Sequence, residues 1–294
     1  MSIRKYQAFL KVVELGSISR AAELLGYTQS AVSRMVADIE DEWGLSLLKR
    51  GRSGLSLSSD GIAMLPYIKE LCGSYRSMQE HASALRGVDT GFIRIGSCAS
   101  VSTQLLPGVL KEFTTRYPGI DFQLRNMEYD DIEDAIREGE VDCGFIFAPY
   151  GDEIDFIHLY SDRILAVLPP KHPMADSPCY PIDNLSREPM IKLTEEGSRE
   201  VSKLYSKLHA RLREPMDIFC EVNDDYSAMA MVESGLGVSV LSELVTLRMP
   251  FNIVLKEFDD PISRDIGIAV RKGAPPSPAT VKFLEVVKLL FGGK

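Results

Sequence analysis

Four residues near the N-terminus restrict the fold more than any other feature: Ala22, Gly26, Val32 and Met35. A small residue, a glycine four positions on, and apolar residues six and three positions beyond describe two short helices crossing steeply over a tight turn. Only a small side chain fits such a crossing, and only glycine turns the chain so sharply. This is the helix-turn-helix spacing. Around it, Ile3, Tyr6, Phe9, Leu10 and Val13 recur at helical intervals up to Gly16, predicting a first helix over about 3–15. Ser17 or Ser19 then opens a second helix, SRAAELLG. A third runs from about Gln29 to Trp43, with Ala31, Val32, Met35, Val36 and Ile39 inward.

That assignment turns Gln29, Ser30, Ser33 and Arg34 outward, with Thr28 at the helix start. Such groups suit base edges and phosphates in a major groove: Arg34 for guanine, Gln29 for a base or backbone contact, and Thr28, Ser30 and Ser33 for phosphates. A hydroxyl at a helix start also serves as a plain cap, which is the competing role for Thr28. Past Gly44, LSLLKRGRSGLSLSSDG alternates apolar and polar around a basic turn, the pattern of a short hairpin or wing. Lys49, Arg50 and Arg52 there would face the duplex backbone or minor groove.

A formal net charge of −9 opposes duplex binding, which rewards basic surfaces through counterion release. The distribution matters more than the sum. From Leu45 to Ser59 there are cations and no acid, whereas acids gather at 38–42, 128–140 and 152–155. At 294 residues and 45% hydrophobic content, the chain has material for two or three cores. Its opening, MSIRKYQAFL, lacks the apolar run of a signal peptide, and no run is long enough to cross a bilayer, so a cytoplasmic protein with no membrane partner is expected. Five scattered cysteines show no C-x-x-C pair and no histidine at zinc spacing, which argues against a metal or a disulfide framework. No cofactor motif is present: G-x-S-x-G, P-loop and G-x-G-x-x-G patterns are all missing, so an enzyme is not expected.

From Ser58 or Ser59 to about Arg86, Leu65, Ile68, Leu71, Tyr75, Met78, Ala82 and Leu85 alternate at steps of three and four, the period of a coiled-coil seam. A second copy of the helix is the expected partner, because two reading heads must be spaced by about one duplex turn. Beyond it, short apolar strands alternate with amphipathic helices, predicting a parallel sheet with crossover helices. The strands expected first are 92–96, 121–125 and 141–147, and LLPGVLKEFTTRYP is read as one helix.

The run from Ala8 to Arg50, with its SxxxAAxxL, TQSAVSRxVxxIE and GLxLLxR blocks, resembles the DNA-binding domain of LysR-type transcription regulators. GFIRIG, IREGEVDCGFI, LAVLPPKHPMA and VESGLGVSVLS resemble the effector domain of the same family. The resemblance implies an α/β protein with a winged helix-turn-helix at 1–60, a linker and dimerisation helix at 61–88, and a two-lobed, periplasmic-binding-protein-like effector domain at 89–294. Lobe one would be 90–162 plus 267–294, and lobe two 163–266. It further implies a homodimer or homotetramer on a pseudo-palindromic duplex operator.

A ligand in such a fold sits beyond the carboxyl ends of the strands, between the lobes. The residues expected there are Ser97, Cys98, Ala99 and Ser100, then Phe147 and Ala148, then Thr194, and Asn223 with Asp225. No Arg or Lys follows the first strand directly, which argues against a dicarboxylate or phosphate and leaves neutral, mono-anionic or amine-bearing effectors. Cys98, close to a helix start, opens an alternative in which the regulator senses oxidants through that thiol. A stand-alone solute-binding protein would need a signal peptide and would leave the first sixty residues without a purpose.

Overall fold

Gly16, Gly26 and Gly44 adopt φ of 59°, 69° and 67° and so stop three successive helices in the left-handed conformation that glycine tolerates best. These are α1 (Ile3–Leu15), α2 (Ile18–Leu25) and α3 (Gln29–Trp43). The computed structural model describes residues 2–51, 54–85, 90–148, 151–194 and 199–292, with backbone alone at 50, 51, 54, 84, 85, 199 and 200. Ser17 caps α2 and Thr28 caps α3, each hydroxyl accepting an N–H three residues on. Ala21, Ala22 and Val32 are buried together with Ala8 and Val12, so the crossing of α2 and α3 is closed by small side chains.

The wing pairs β1 (Leu48–Gly51) antiparallel with β2 (Gly54–Leu57). Glu40 of α3 fastens it, accepting the Leu47 N–H at 2.6 Å and the Leu48 N–H at 3.1 Å. Ser58 then caps α4 (Ser59–Leu85), its Oγ accepting the Gly61 N–H at 2.9 Å. Pro66 lies within α4 without ending it. The seam expected along this helix divides. Ile68 is buried in the head's own core with Tyr6, Phe9 and Ile39, and Leu65 and Leu71 pack against that core. Head and helix fold back on one another, so the first half of the stripe already has an intramolecular partner. Met78, farther along, remains exposed.

Ion pairs hold the middle of α4 to the first lobe of the C-terminal domain. Lys69 reaches Glu138 at 3.0 Å and also Glu140, Arg76 reaches Asp142 at 2.8 Å, and Glu70 meets Arg271 at 3.5 Å. Asp142 accepts in addition from Arg94, through its backbone N–H and its guanidinium.

That lobe begins with β3 (Gly91–Ser97), α5 (Ala99–Gln104), α6 (Leu106–Arg116), β4 (Ile120–Asn126), α7 (Tyr129–Arg137) and β5 (Cys143–Phe147). LLPGVLKEFTTRYP forms one helix as expected, α6, with its proline in the first turn; the short α5 before it ends at Gln104, and Leu105 separates the two. The chain crosses to the second lobe along β6 (Ile154–Leu168) and builds it from β7 (Met190–Leu193), α8 (Arg199–His209), β8 (Ile218–Val222), α9 (Asp225–Glu233), β9 (Val238–Ser242) and α10 (Glu243–Thr246). It returns along β10 (Val254–Arg271) and closes with α11 (Pro278–Phe291), which packs on the first lobe through Phe283 and Val287.

All strands of this domain form one eight-stranded sheet in the order β4-β3-β5-β10-β6-β9-β7-β8. Within each lobe strands pair parallel, as the alternation of elements predicts. The crossing strands do not: β10 pairs antiparallel with both β5 and β6, and β6 antiparallel with β9. A chain that leaves a lobe and comes back must run both ways, which an all-parallel reading misses. The lobe limits expected at 162/163 and 266/267 fall inside β6 and β10.

Asp162 sits on that crossing with 1% of its side chain exposed. It accepts the Leu244 N–H at 3.0 Å and Arg264 Nε at 3.0 Å, so its charge is met from both the second lobe and the returning strand. Removing one member of so buried a pair strands the other, at a cost of about 3–5 kcal/mol. Asp162→Ala is expected to lose that much in urea unfolding of the full chain, while Asp121→Ala on the exposed edge should stay within about 0.5 kcal/mol of wild type. In the head, a Cβ at Gly61 would fall on the Leu47 carbonyl oxygen, whereas at Gly108 it would meet open space. Gly61→Ala is therefore expected to destabilise by about 1–3 kcal/mol. Gly108→Ala in α6 should match or exceed wild type by up to about 1 kcal/mol, both read from thermal melts.

Candidate functional site: a duplex-reading head and an inter-lobe cleft

The third helix buries Val32, Val36 and Ile39 and leaves the opposite face to solvent. Gln29, Ser30 and Arg34 are exposed on it and Ser33 is half-buried. Thr28 Oγ1 accepts the Ala31 N–H at 3.2 Å and lies 3.1 Å from Ser30 Oγ, so its hydroxyl is engaged as a cap. Lys49 is exposed on the wing strand. The Arg50 side chain and all of Arg52 lie outside the described residues. What is described is a solvent-facing helix face bearing a guanidinium, an amide and a hydroxyl, a set able to donate to guanine and phosphate and to pair bidentately with adenine.

A cavity of about 240 Å³ opens between the lobes. From the first lobe, Cys98 and Ala99 reach it at the start of α5, together with the turn Asn126–Tyr129 between β4 and α7. From the second, Leu193 ends β7, Leu204 comes from α8, and Asn223, Asp224 and Asp225 precede or open α9. Ile164 and Arg264 rise from the crossing strands. Cys98, Ala99, Asn223 and Asp225 are thus brought together as lining groups. Ala148 lines a small neighbouring cavity, about 30 Å³ in volume, beside Arg264.

Other expected contacts are placed elsewhere. Ser97 is fully buried and its hydroxyl donates to the Cys98 carbonyl at 3.2 Å. Ser100 is buried 3.4 Å from Cys98 Sγ and is not a helix cap, since α5 begins at Ala99 with Cys98 in the capping position. Thr194 donates to the Val222 carbonyl at 3.2 Å, joining β7 to β8. The Ser97 and Thr194 hydroxyls each satisfy a backbone carbonyl in their own lobe and Ser100 meets the Cys98 sulfur, which a strand-end reading does not foresee. Phe147 is buried and forms a platform: Arg264 Cζ lies 4.0 Å from its ring centroid, and Tyr129 packs edge-on at 4.8 Å. Glu195, which follows Thr194 and is expected beside it at the cleft, lies outside the described residues.

Arg264 and the turn residues Asn126–Tyr129 are among the lining residues that sequence reading missed. The Arg264 side chain is 10% exposed, its Nε donates to Asp162, and its Nη2 donates to Ser242 Oγ at 2.7 Å. The guanidinium thus touches the ring platform of one lobe and the end of β9 in the other. Nearby, burial first and the Asp162 charge second push the Tyr160 phenol above its ordinary pKa, keeping it neutral. Asp224 caps α9 by accepting the Ser227 N–H at 2.8 Å, and hydrogen bonds from Ser227 hold its carboxyl below the usual range. Among the described residues no cluster of His, Cys, Asp and Glu is disposed to hold a metal ion, and no helix is long and apolar enough to cross a membrane.

Comparison with known proteins places both parts. Residues 3–62 match the model of the bacterial regulatory helix-turn-helix protein, lysR family, and residues 86–291 match the LysR substrate binding domain. Among curated relatives, the uncharacterized regulator YvbU of Bacillus subtilis is 29% identical, covering 100% of each chain. The probable regulator LrrA of Synechococcus elongatus is 30% identical over 98% of this chain and 97% of its own. Among solved structures, a full-length OxyR variant from Pseudomonas aeruginosa superposes with a TM-score of 0.79 at 20% identity, covering 98% of this chain and 95% of that one. Full-length CbnR in complex with its target DNA superposes at 0.65 with 22% identity, covering 98% and 99%. With both domains matched in order across nearly its whole length, the chain belongs to the LysR family of DNA-binding transcription regulators.

Proposed function

We propose that the chain binds a pseudo-palindromic duplex operator in the cytoplasm, reads it through α3, and alters that binding when a small molecule occupies the inter-lobe cavity. The observation that carries this reading is the solvent-facing set Gln29, Ser30 and Arg34 opposite a buried apolar face, on the helix that the turn at Gly26 projects from the head. Arg34 reads a guanine. Gln29 takes a base or backbone contact, Ser30, Ser33 and the capped Thr28 lie against phosphates, and the wing cations Lys49, Arg50 and Arg52 add sequence-independent attraction.

Operator reading requires two heads, and α4 supports the pairing. Tyr67 and Met78 are exposed along one side of it at 67% and 59%. Leu10 and Val13 of α1 line a crevice of about 650 Å³ beside Leu65 and Cys72 of α4. A second copy's α4 covers this surface in a homodimer, from which a tetramer assembles by pairing. Cavity residues Cys98, Ala99, Asn223 and Asp225 then serve as effector contacts, with Ala148 at the edge, while Ser97, Ser100, Phe147 and Thr194 hold the shape of the site.

Arg34→Ala is expected to weaken operator binding by about 1–3 kcal/mol while sparing random duplex, and Lys49→Ala to weaken both alike with a shallower salt slope. Gel-shift titrations on the two duplexes decide this, and equal losses for Arg34→Ala would remove its base-reading role. Cys98, 4% exposed on the cavity wall, separates effector binding from thiol sensing. Cys98→Ser is expected to leave the DNA response to peroxide as it was in wild type; a response lost in the variant would transfer the function to the thiol.

A further inference from the structure

The charged groups of the cleft are of both signs. Arg264 lines both the main cavity and the small neighbouring one, where Lys203 and Lys207 of α8 join it. Glu128 from the first lobe and Asp224 and Asp225 from the second line the main cavity with it. Glu128 and Asp224 are not explained by folding needs alone. Asp224 does cap α9, but Asn caps a helix equally well without charge. Glu128 stands in the capping position of α7 yet makes no capping hydrogen bond with its side chain. Behind Arg264, Asp162 is spent on that guanidinium and on the Leu244 N–H, so it orients the cation from the buried side. Much of the remaining wall is aliphatic: Ile164, Leu193, Val201, Leu204 and Val240.

We infer that the cleft takes a small zwitterion of amino-acid type, its carboxylate toward Arg264 with Lys203 and Lys207, its ammonium toward Glu128 and Asp224, and its apolar body on the aliphatic wall. This rests on the reading of the cleft as the effector site. A simple carboxylate would leave Glu128 and Asp224 without a cation in the cleft, and a simple amine would leave Arg264, Lys203 and Lys207 without an anion on the cleft side. Closure of the lobes on such a ligand brings Glu128 and Asp224 onto one ammonium group, joining the two lobes through it.

The test is isothermal titration of the full chain with the aliphatic L-amino acids, with isocaproate (leucine without its amine) and isoamylamine (leucine without its carboxylate) as paired probes. The expected result is binding of at least one amino acid, with isocaproate and isoamylamine each at least tenfold weaker than leucine. Glu128→Gln with Asp224→Asn, which keeps the α9 cap, should cost the amino acid at least tenfold and leave isocaproate unchanged or tighter. Lys203→Gln with Lys207→Gln, both on the exposed face of α8, supplies the matching test of the cationic groups without disturbing the buried Arg264 pair. Equal binding of leucine and either truncated probe overturns the zwitterion, as does a panel in which no amino acid binds. If a ligand binds but no cleft substitution alters its affinity, the cleft itself is not the effector site, a different failure that the same titrations separate.

Discussion

The antiparallel pairing of β10 with β6 is the constraint on which the C-terminal domain depends. These strands belong to both lobes, and every other strand of the sheet is attached outward from them. Two parallel half-sheets have no other continuous connection across the cleft. Their mutual pairing sets the cleft's floor, and the ladder is irregular between Glu257 and Ile262 and again at Ile266–Gly267. Arg264 lies between those irregularities, where the returning strand is free to aim a side chain upward between the lobes instead of into either core. The buried carboxylate of Asp162 then fixes that aim.

Chemical division of labour follows from this layout. The apolar cores stay within lobes: Ile93, Phe113 and Phe283 in the first, Met190, Leu208 and Phe258 in the second. Polar and ionised groups collect where lobes or domains meet, at the cleft and along the α4 seam. Core packing supplies each lobe's rigidity, whereas contacts between lobes are of the kind that rearranges at modest cost.

The head was almost wholly legible in the sequence, because its signals are local. Glycines at 16, 26 and 44 mark helix ends, hydroxyls at 17 and 28 mark starts, and one helical period identifies the inner face of α3. Lobe topology was legible at the level of alternating elements but not in the direction of the crossing strands, which no local pattern encodes. For the cleft, strand ends pointed to residues that line the inter-lobe cavity, Cys98, Ala99, Asn223 and Asp225, and also to hydroxyls that do not. Ser97, Ser100 and Thr194 carry plausible hydroxyls, yet each is consumed by a nearby polar atom whose position depends on tertiary packing. Arg264 sits in the middle of a long strand among charged neighbours, and its orientation is set by sheet irregularities and by Asp162, about a hundred residues away in sequence. The stripe on α4 correctly announced a helix with an apolar face, but periodicity does not say whose surface will cover it.

The mounting of α4 on the first lobe makes ionic strength an internal variable of this protein as well as an external one. Lys69, Arg76 and Glu70 fasten the helix through charges that water still reaches in part, with Asp142 16% and Arg76 32% exposed. Added electrolyte lowers the gain from counterion release when a basic surface meets nucleic acid, and the same electrolyte screens the ion pairs that hold the head's support in place. A slope of affinity against salt concentration in this protein therefore sums two contributions, one from phosphates neutralised at the surface and one from loosening of the support behind it.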